Sequence, residues 1–252
     1  MNKNAGISFT NLALIFSFSI SFAYADHAEK SQFFEEITIV GNKDRANTVA
    51  GSAHFISDAD LEVFNYADIQ QILRQVPGVN LQLEDGYGLR PNIGIRGVQT
   101  ERSGRIMLLE DGVPIAPAPY AASSAYYFPT AGRMYSVEVL KGPAAITEGP
   151  NTIGGAINMI STPIPEETEG KVVAEVGGNS TTRVHAAYGS TNSDGFGYLI
   201  ETHRWKSDGF QSIDGSNSGT GLDIKDYTLK LGYAPVDSRH AFELKYQYAE
   251  QD

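Results

Sequence analysis

Cysteine is absent from the 252 residues. That absence excludes a disulfide scaffold, a zinc ribbon, an Fe–S cluster, a thiol nucleophile and a lipidated cysteine. Positive charge is scarce: 19 Lys and Arg face 30 Asp and Glu, a formal net charge of −11. The basic field that phosphate neutralisation needs is missing, so no nucleic-acid partner is expected. No apolar run reaches the roughly 18 residues of a spanning helix. Signatures of catalysis are also missing. There is no Gly-x-Ser-x-Gly elbow, and the five His show no HExxH spacing. The stretch from Gly142-Pro143 to Gly149-Pro150 lacks the Lys-Ser/Thr ending of a phosphate loop. No compact His/Asp/Glu cluster suits a bare metal ion. The sequence therefore predicts neither an enzyme nor a protein with a resident metal or cofactor. What is present, 26 Gly and 13 Tyr with 41% hydrophobic residues, predicts a folded, β-rich chain with many turns.

Residues 1–25 carry one base, Lys3, no acid, and an apolar run over 12–22, followed by Ala23-Tyr24-Ala25. This is the pattern of a secretory signal peptide cut after Ala25. The run is too short for a helical anchor, which needs about 20 residues. Residues 26–42 form an N-terminal extension containing the alternating segment Glu36-Ile37-Thr38-Ile39-Val40-Gly41. A lone strand there either joins a sheet of its own domain or is offered to a partner by strand addition.

From 43 to 165 short strands and helices alternate. Ser57 and Asn65 are expected as helix caps with Asp60 and Asp68 three residues on, and Pro77-Gly78 ends the second helix. A glycine-rich stretch over 86–97 precedes strands at 105–110, 135–141 and 156–161, with a turn at Asp111-Gly112. The expected class is a small α+β domain.

From 166 to 252 the period becomes two. Tyr227, Leu229, Leu231 and Tyr233 alternate with Thr228, Lys230 and Gly232, and Phe242, Leu244, Tyr246 and Tyr248 alternate with Glu243, Lys245 and Gln247. With runs at 171–177, 181–189 and 196–205 this gives five strands that suit a wall between lipid and water, although a soluble sandwich also alternates. Connections are short at 177–180, 190–195 and 234–239 and long at 206–223. A first strand rising from the periplasm would put the long one outside the cell.

In order along the chain, Glu36-Ile37-Thr38-Ile39-Val40-Gly41, Ile95-Arg96-Gly97, Leu109-Glu110-Asp111-Gly112-Val113-Pro114, Val137-Glu138-Val139-Leu140-Lys141-Gly142-Pro143 and the Gly149–Asn158 stretch resemble TonB-dependent outer-membrane receptors. The resemblance implies an α+β plug domain at 43–165 followed, at 166–252, by the first antiparallel strands of a transmembrane β-barrel, 22-stranded in the complete fold. Since five strands cannot close a barrel, it also implies the N-terminal part of a longer receptor. Glu36, Ile37, Thr38, Ile39 and Val40 would be the TonB box, pairing with TonB and its inner-membrane energy-transducing complex. The location would be the outer membrane of a Gram-negative bacterium.

The 114–128 stretch resembles receptors for ferric citrate, which implies active uptake of a ferric chelate, an iron–carboxylate. The alternatives are another siderophore, haem, or a non-functional truncated receptor. Tyr120, Ser123, Ser124, Tyr126 and Tyr127 would form the apical substrate loop. Arg102 and Arg105, with Arg90, would attract an anionic chelate. Arg96 and Glu138 sit in motifs that lock plug to barrel in the family, a role that suits charges too costly to leave unpaired. His203 and Trp205 are expected on the barrel wall.

Overall fold

The computed structural model describes residues 16–22, 34, 37–49, 51–115, 127–211, 220–235 and 240–252. A first unit contains the short helices α1 (Lys43–Ala46), α2 (Asp58–Phe64) and α3 (Ile69–Leu73), with strands β2 (Ser52–Ile56), β3 (Val79–Gln82), β4 (Asn92–Ile95), β5 (Ile106–Glu110), β6 (Val113–Pro114), β7 (Met134–Lys141) and β8 (Gly155–Ser161). Five of these strands make a mixed sheet ordered β2-β7-β8-β5-β6, in which only β5 and β8 run parallel; β3 and β4 form a separate hairpin. α3 packs Ile69, Ile72 and Leu73 onto Ile106, Leu108, Val137, Val139 and Ile157 of the sheet, all nearly inaccessible to solvent. Burying each such side chain stabilises the domain by about 1.5–3 kcal/mol.

Helix ends follow local chemistry. Ser57 and Asp60 form a reciprocal capping box on α2. With Lys43 also bonded to it, the Asp60 carboxyl titrates near pH 2, well below its usual range. Asn65 differs from expectation. It ends α2 in the left-handed conformation, φ 47°, and Asp68 caps α3 by accepting from the Gln70 N–H. Asparagine tolerates that backbone region, so a cap residue at one helix's start and another's end look alike in sequence.

The second unit is an antiparallel sheet of β9 (Glu169–Val176), β10 (Thr182–Thr191), β11 (Phe196–Ser207), β12 (Leu222–Tyr233) and β13 (Phe242–Gln251), paired in chain order. β1 (Phe16–Phe22) lies antiparallel along the free edge of β9. Inside out compared with a soluble sandwich, the wall buries Glu201, His203, Asp226, Thr228 and Lys230 against the first unit and exposes Val172, Tyr188, Ile200, Leu229, Leu244 and Tyr246. Tyr188, Tyr198, Phe196, Tyr233 and Phe242 gather near the short-turn end, with the Tyr188 and Tyr198 rings 6.2 Å apart. An outward apolar band edged by aromatic rings is what contact with lipid requires. No described helix is long and apolar enough to cross a membrane.

Candidate functional site: a clasped segment and a buried charge bridge

Residues 37–41 are not a strand. The Glu138 side chain, buried on β7, instead accepts three backbone N–H groups in succession: Ile39 at 2.7 Å, Val40 at 3.1 Å and Gly41 at 2.6 Å. Asn158, buried on the adjoining β8, donates to Glu138 (3.0 Å) and to the Ile37 carbonyl (3.0 Å). A buried carboxylate is tolerable only with such donors around it. The Val40 side chain is fully buried beside Met107, Leu109 and Leu140, whereas Ile37 is 63% exposed. The Asn158 carboxamide oxygen in turn accepts the Gly112 N–H at 2.9 Å. Asp111 and Gly112 both take left-handed φ, 49° and 74°, as the two-residue turn from β5 to β6 demands. A Cβ on Gly112 would lie 2.3 Å from an Ile37 methyl.

The same turn carries the charge bridge to the wall. Arg133, before β7, is sealed from solvent and donates to Asp226 of β12 (2.8 Å) and to Glu110 of β5 (2.7 Å). Burial opposes its charge, but the two carboxylates outweigh burial and raise its pKa. Lys245 of β13 reaches across to Glu110 (2.5 Å) and Asp111 (2.7 Å), and to Ser161 (3.2 Å). Burial pushes the Asp111 carboxyl up, yet Lys230 and Lys245 prevail and hold it below its usual range. A cavity of about 540 Å³ opens here, lined by Ile37, Glu110, Asp111, Tyr127, Lys230 and Lys245 among others.

The two ends of the wall meet different parts of the first unit. At the short-turn end, Phe34 packs where β11 and β12 carry Gly197 and Gly232. At the long-connection end, Tyr87 stacks edge-on to Trp205 and Phe210, each at 5.5 Å, and Arg90 and the Phe128 carbonyl both meet Gln251. Segment 37–41 follows Phe34, and residues 127–128 adjoin the 116–126 stretch, which lies outside the described residues; Tyr127 and Ile37 line the same cavity.

Among the residues singled out in the sequence, Glu36, Tyr120, Ser123, Ser124 and Tyr126 lie outside the described residues. Tyr127 accepts from Gln247 (3.1 Å), and burial first, then the nearby Glu110, pushes its pKa up to about 12. Arg102 faces Glu84 at 3.7 Å, and Arg105 is exposed just ahead of β5. Arg96 is exposed and left-handed, φ 56°, lying over Gly142, and Glu138 is committed to residues 39–41. Among the described residues, the buried charges that tie the first unit to the wall include Arg133, Glu110, Asp111, Asp226 and Lys245, and Glu62 pairs with Lys171 of β9 near the surface. None was expected in this role from sequence, although Glu110 and Asp111 sit in the Leu109–Pro114 motif. The available signal was the polar set Asp226, Thr228 and Lys230 opposite the aromatic set on β12. His203 and Trp205 do lie on the wall strand β11.

A folded unit seated against an inside-out antiparallel wall is the architecture of a plugged barrel. Residues 45–156 match the family model "TonB-dependent Receptor Plug Domain". The chain is 28% identical over 218 residues, 86% of its length, to the vitamin B12 transporter BtuB of Vibrio vulnificus, of which it covers 33%. Among solved structures it resembles the ferric citrate transporter FecA in its unliganded form (TM-score 0.70, 24% identity, 89% of this chain and 34% of that one). It also resembles the ferric yersiniabactin uptake receptor FyuA of Yersinia pestis (TM-score 0.64, 22% identity, 82% and 32%). The chain thus carries a TonB-dependent receptor plug domain, and β9 to β13 are antiparallel strands like those that begin such a receptor's barrel. It spans about a third of the length of these relatives.

Proposed function

We propose that the chain is the plug and opening wall of an outer-membrane importer that uses TonB to take up a ferric chelate, ferric citrate or a related iron–carboxylate. The observation that carries this reading is the short N-terminal segment tethered to the plug behind Phe34 at the short-turn end, with Tyr87 and Arg90 against the wall at the long-connection end. In this reading residues 36–40 pair with TonB by strand addition on the periplasmic side, and residues 120–127 with Arg102 and Arg105 meet the chelate outside. Carboxylates suit Arg forks, and no covalent bond is broken. Residues 1–25 are removed on export, which frees the β9 edge for another strand, and the outward apolar band faces outer-membrane lipid.

The likeness to a vitamin B12 transporter supports a second cargo, a corrinoid. Uptake of radiolabelled iron as ferric citrate by cells expressing the protein from its own gene, with cyanocobalamin and a catecholate chelate as competitors, separates the two. Competition by unlabelled ferric citrate alone supports the iron–carboxylate. Uptake of labelled cyanocobalamin with no iron uptake replaces it with the corrinoid.

A further inference from the structure

We infer that His185 and Glu201 of the wall form a proton-sensitive hold on Thr162, the residue through which the chain leaves the plug: a proton on His185 completes a buried ion pair and tightens the hold, and its loss slackens the 162–168 linker. The hold does not depend on the importer reading.

The Glu201 side chain on β11 is sealed from solvent. One of its oxygens accepts from the Thr162 hydroxyl at 2.6 Å and meets the His185 Nε2 at 2.8 Å; the other has no hydrogen-bond partner among the described residues. A buried carboxylate needs an opposite charge beside it. Positive charge falls short here. Arg133 acts on three buried carboxylates, Glu110, Asp226 and Glu201, but its ion pairs go to the first two, and Lys245 serves Glu110 and Asp111. Glu201 is thus the acid left one charge short, and an imidazolium at His185 supplies it. Imidazole is the side chain that ordinarily gains or loses a proton between pH 5 and 8. His185 keeps 15% of its side chain exposed, so that a proton can enter from solvent. Without the proton the ion pair is lost, and a hydrogen bond to one charged partner remains. The other groups facing His185 leave it that role. On its own strand Arg183 is committed to Glu175 of β9 and to the Asn65 carbonyl of the plug, and Lys171 of β9 pairs with Glu62 of α2. On β11 His203 sits opposite, ring centroids 5.9 Å apart, fully buried against Gly132, where a Cβ would lie 2.6 Å from its Nε2. Across from His203 on β12, Asp226 is bonded to Arg133. Neither ring nitrogen of His203 has a hydrogen-bond partner among the described residues, so a proton there would lack an acceptor in this arrangement. Thr162 is the first residue after β8, and residues 162–168 join it to β9, so the strength of the pair at Glu201 sets how firmly the plug's exit is held.

The chain has no cysteine, so Glu166→Cys, exposed in the linker, places a single thiol within it for a nitroxide spin label. Label mobility is read by electron paramagnetic resonance in isolated membranes carrying the protein expressed from its own gene, with the unsubstituted protein as background. Raising the pH from 5.5 to 8 should increase the ratio of mobile to immobile label about tenfold, the scale of one charge-assisted interaction. His185→Gln, neutral at both values, should leave the label mobile at both. His185→Lys, a cation at both, should leave it immobile at both, and Glu201→Gln should abolish the pH response. His203→Gln should keep the wild-type response. A pH-independent label in the protein that retains His185, or an unchanged response in His185→Gln, would overturn the hold. Loss of the response in His203→Gln with its survival in His185→Gln would place the proton on His203 and overturn the assignment to His185.

Discussion

Arg133 shows how a single side chain ties plug to wall. With no exposure and two carboxylate partners, its removal strands Glu110 and Asp226 in a buried site. Arg133→Met is expected to destabilise the protein by about 3–5 kcal/mol, read as a lower denaturant midpoint. Arg133→Met with Asp226→Leu should recover part of that loss, since it is the orphaned charge that costs most. A titration carries a second prediction. His54 of β2 is held below its ordinary pKa, first by burial and then by the charge of Lys141, with Lys43 adding to it and Asp60 opposing. The folded state thus binds fewer protons than the unfolded chain just below pH 6.5, and stability falls as pH drops through that range toward the folded value. Denaturation at pH 7.5 and 5.5 should show a smaller acid loss in His54→Gln than in the wild type. At this scale the sequence was only partly legible. Motifs flagged Glu138, but not that its carboxylate would be spent on backbone N–H groups 97–99 residues away in the chain. Arg133 sits in no motif, and its partners lie on β5 and β12, so only the folded arrangement brings the three together.

Elements were far more legible, because period and punctuation are local. The five wall strands follow the two-residue alternation, extended by a few residues at their ends. The β3–β4 hairpin was missed, with β4 inside the glycine-rich stretch and β3 just ahead of it, because its strands are four residues each, too short to show a period. β2 was missed as well: its burial pattern shows no clean alternation, since it is an edge strand against β7. The alternating segment at 37–40 looks like a strand but lies clasped, a case in which one buried carboxylate outcompetes a sheet partner. Two predictions follow from element chemistry. Leu229 faces outward near the middle of β12, so Leu229→Lys should cost about 2–4 kcal/mol of folding into lipid vesicles, while the same change at the exposed Val63 of the plug helix α2 should cost little. Ser57→Ala removes half of the capping box and should cost about 1 kcal/mol.

At the scale of the whole molecule, the plug meets the wall through charges and polar groups rather than an apolar core. Both ring nitrogens of the buried His203, the carboxamide of Gln70 and the hydroxyl of Ser136 find no hydrogen-bond partner among the described residues. In the proposed function the two ends divide the labour, with cargo expected at the Tyr87–Phe210 end and energy coupling at the Phe34–Val40 end. Coupling through residues 36–40 is the claim on which the importer reading and its partner both depend. Its most direct test is capture of the TonB periplasmic domain by outer membranes carrying the wild type or Ile39→Pro, each with and without ferric citrate. Proline removes the Ile39 N–H, one of the donors a paired strand must supply. The wild type should retain TonB, more so with the chelate, and Ile39→Pro should lose it; equal capture by both forms would contradict the account.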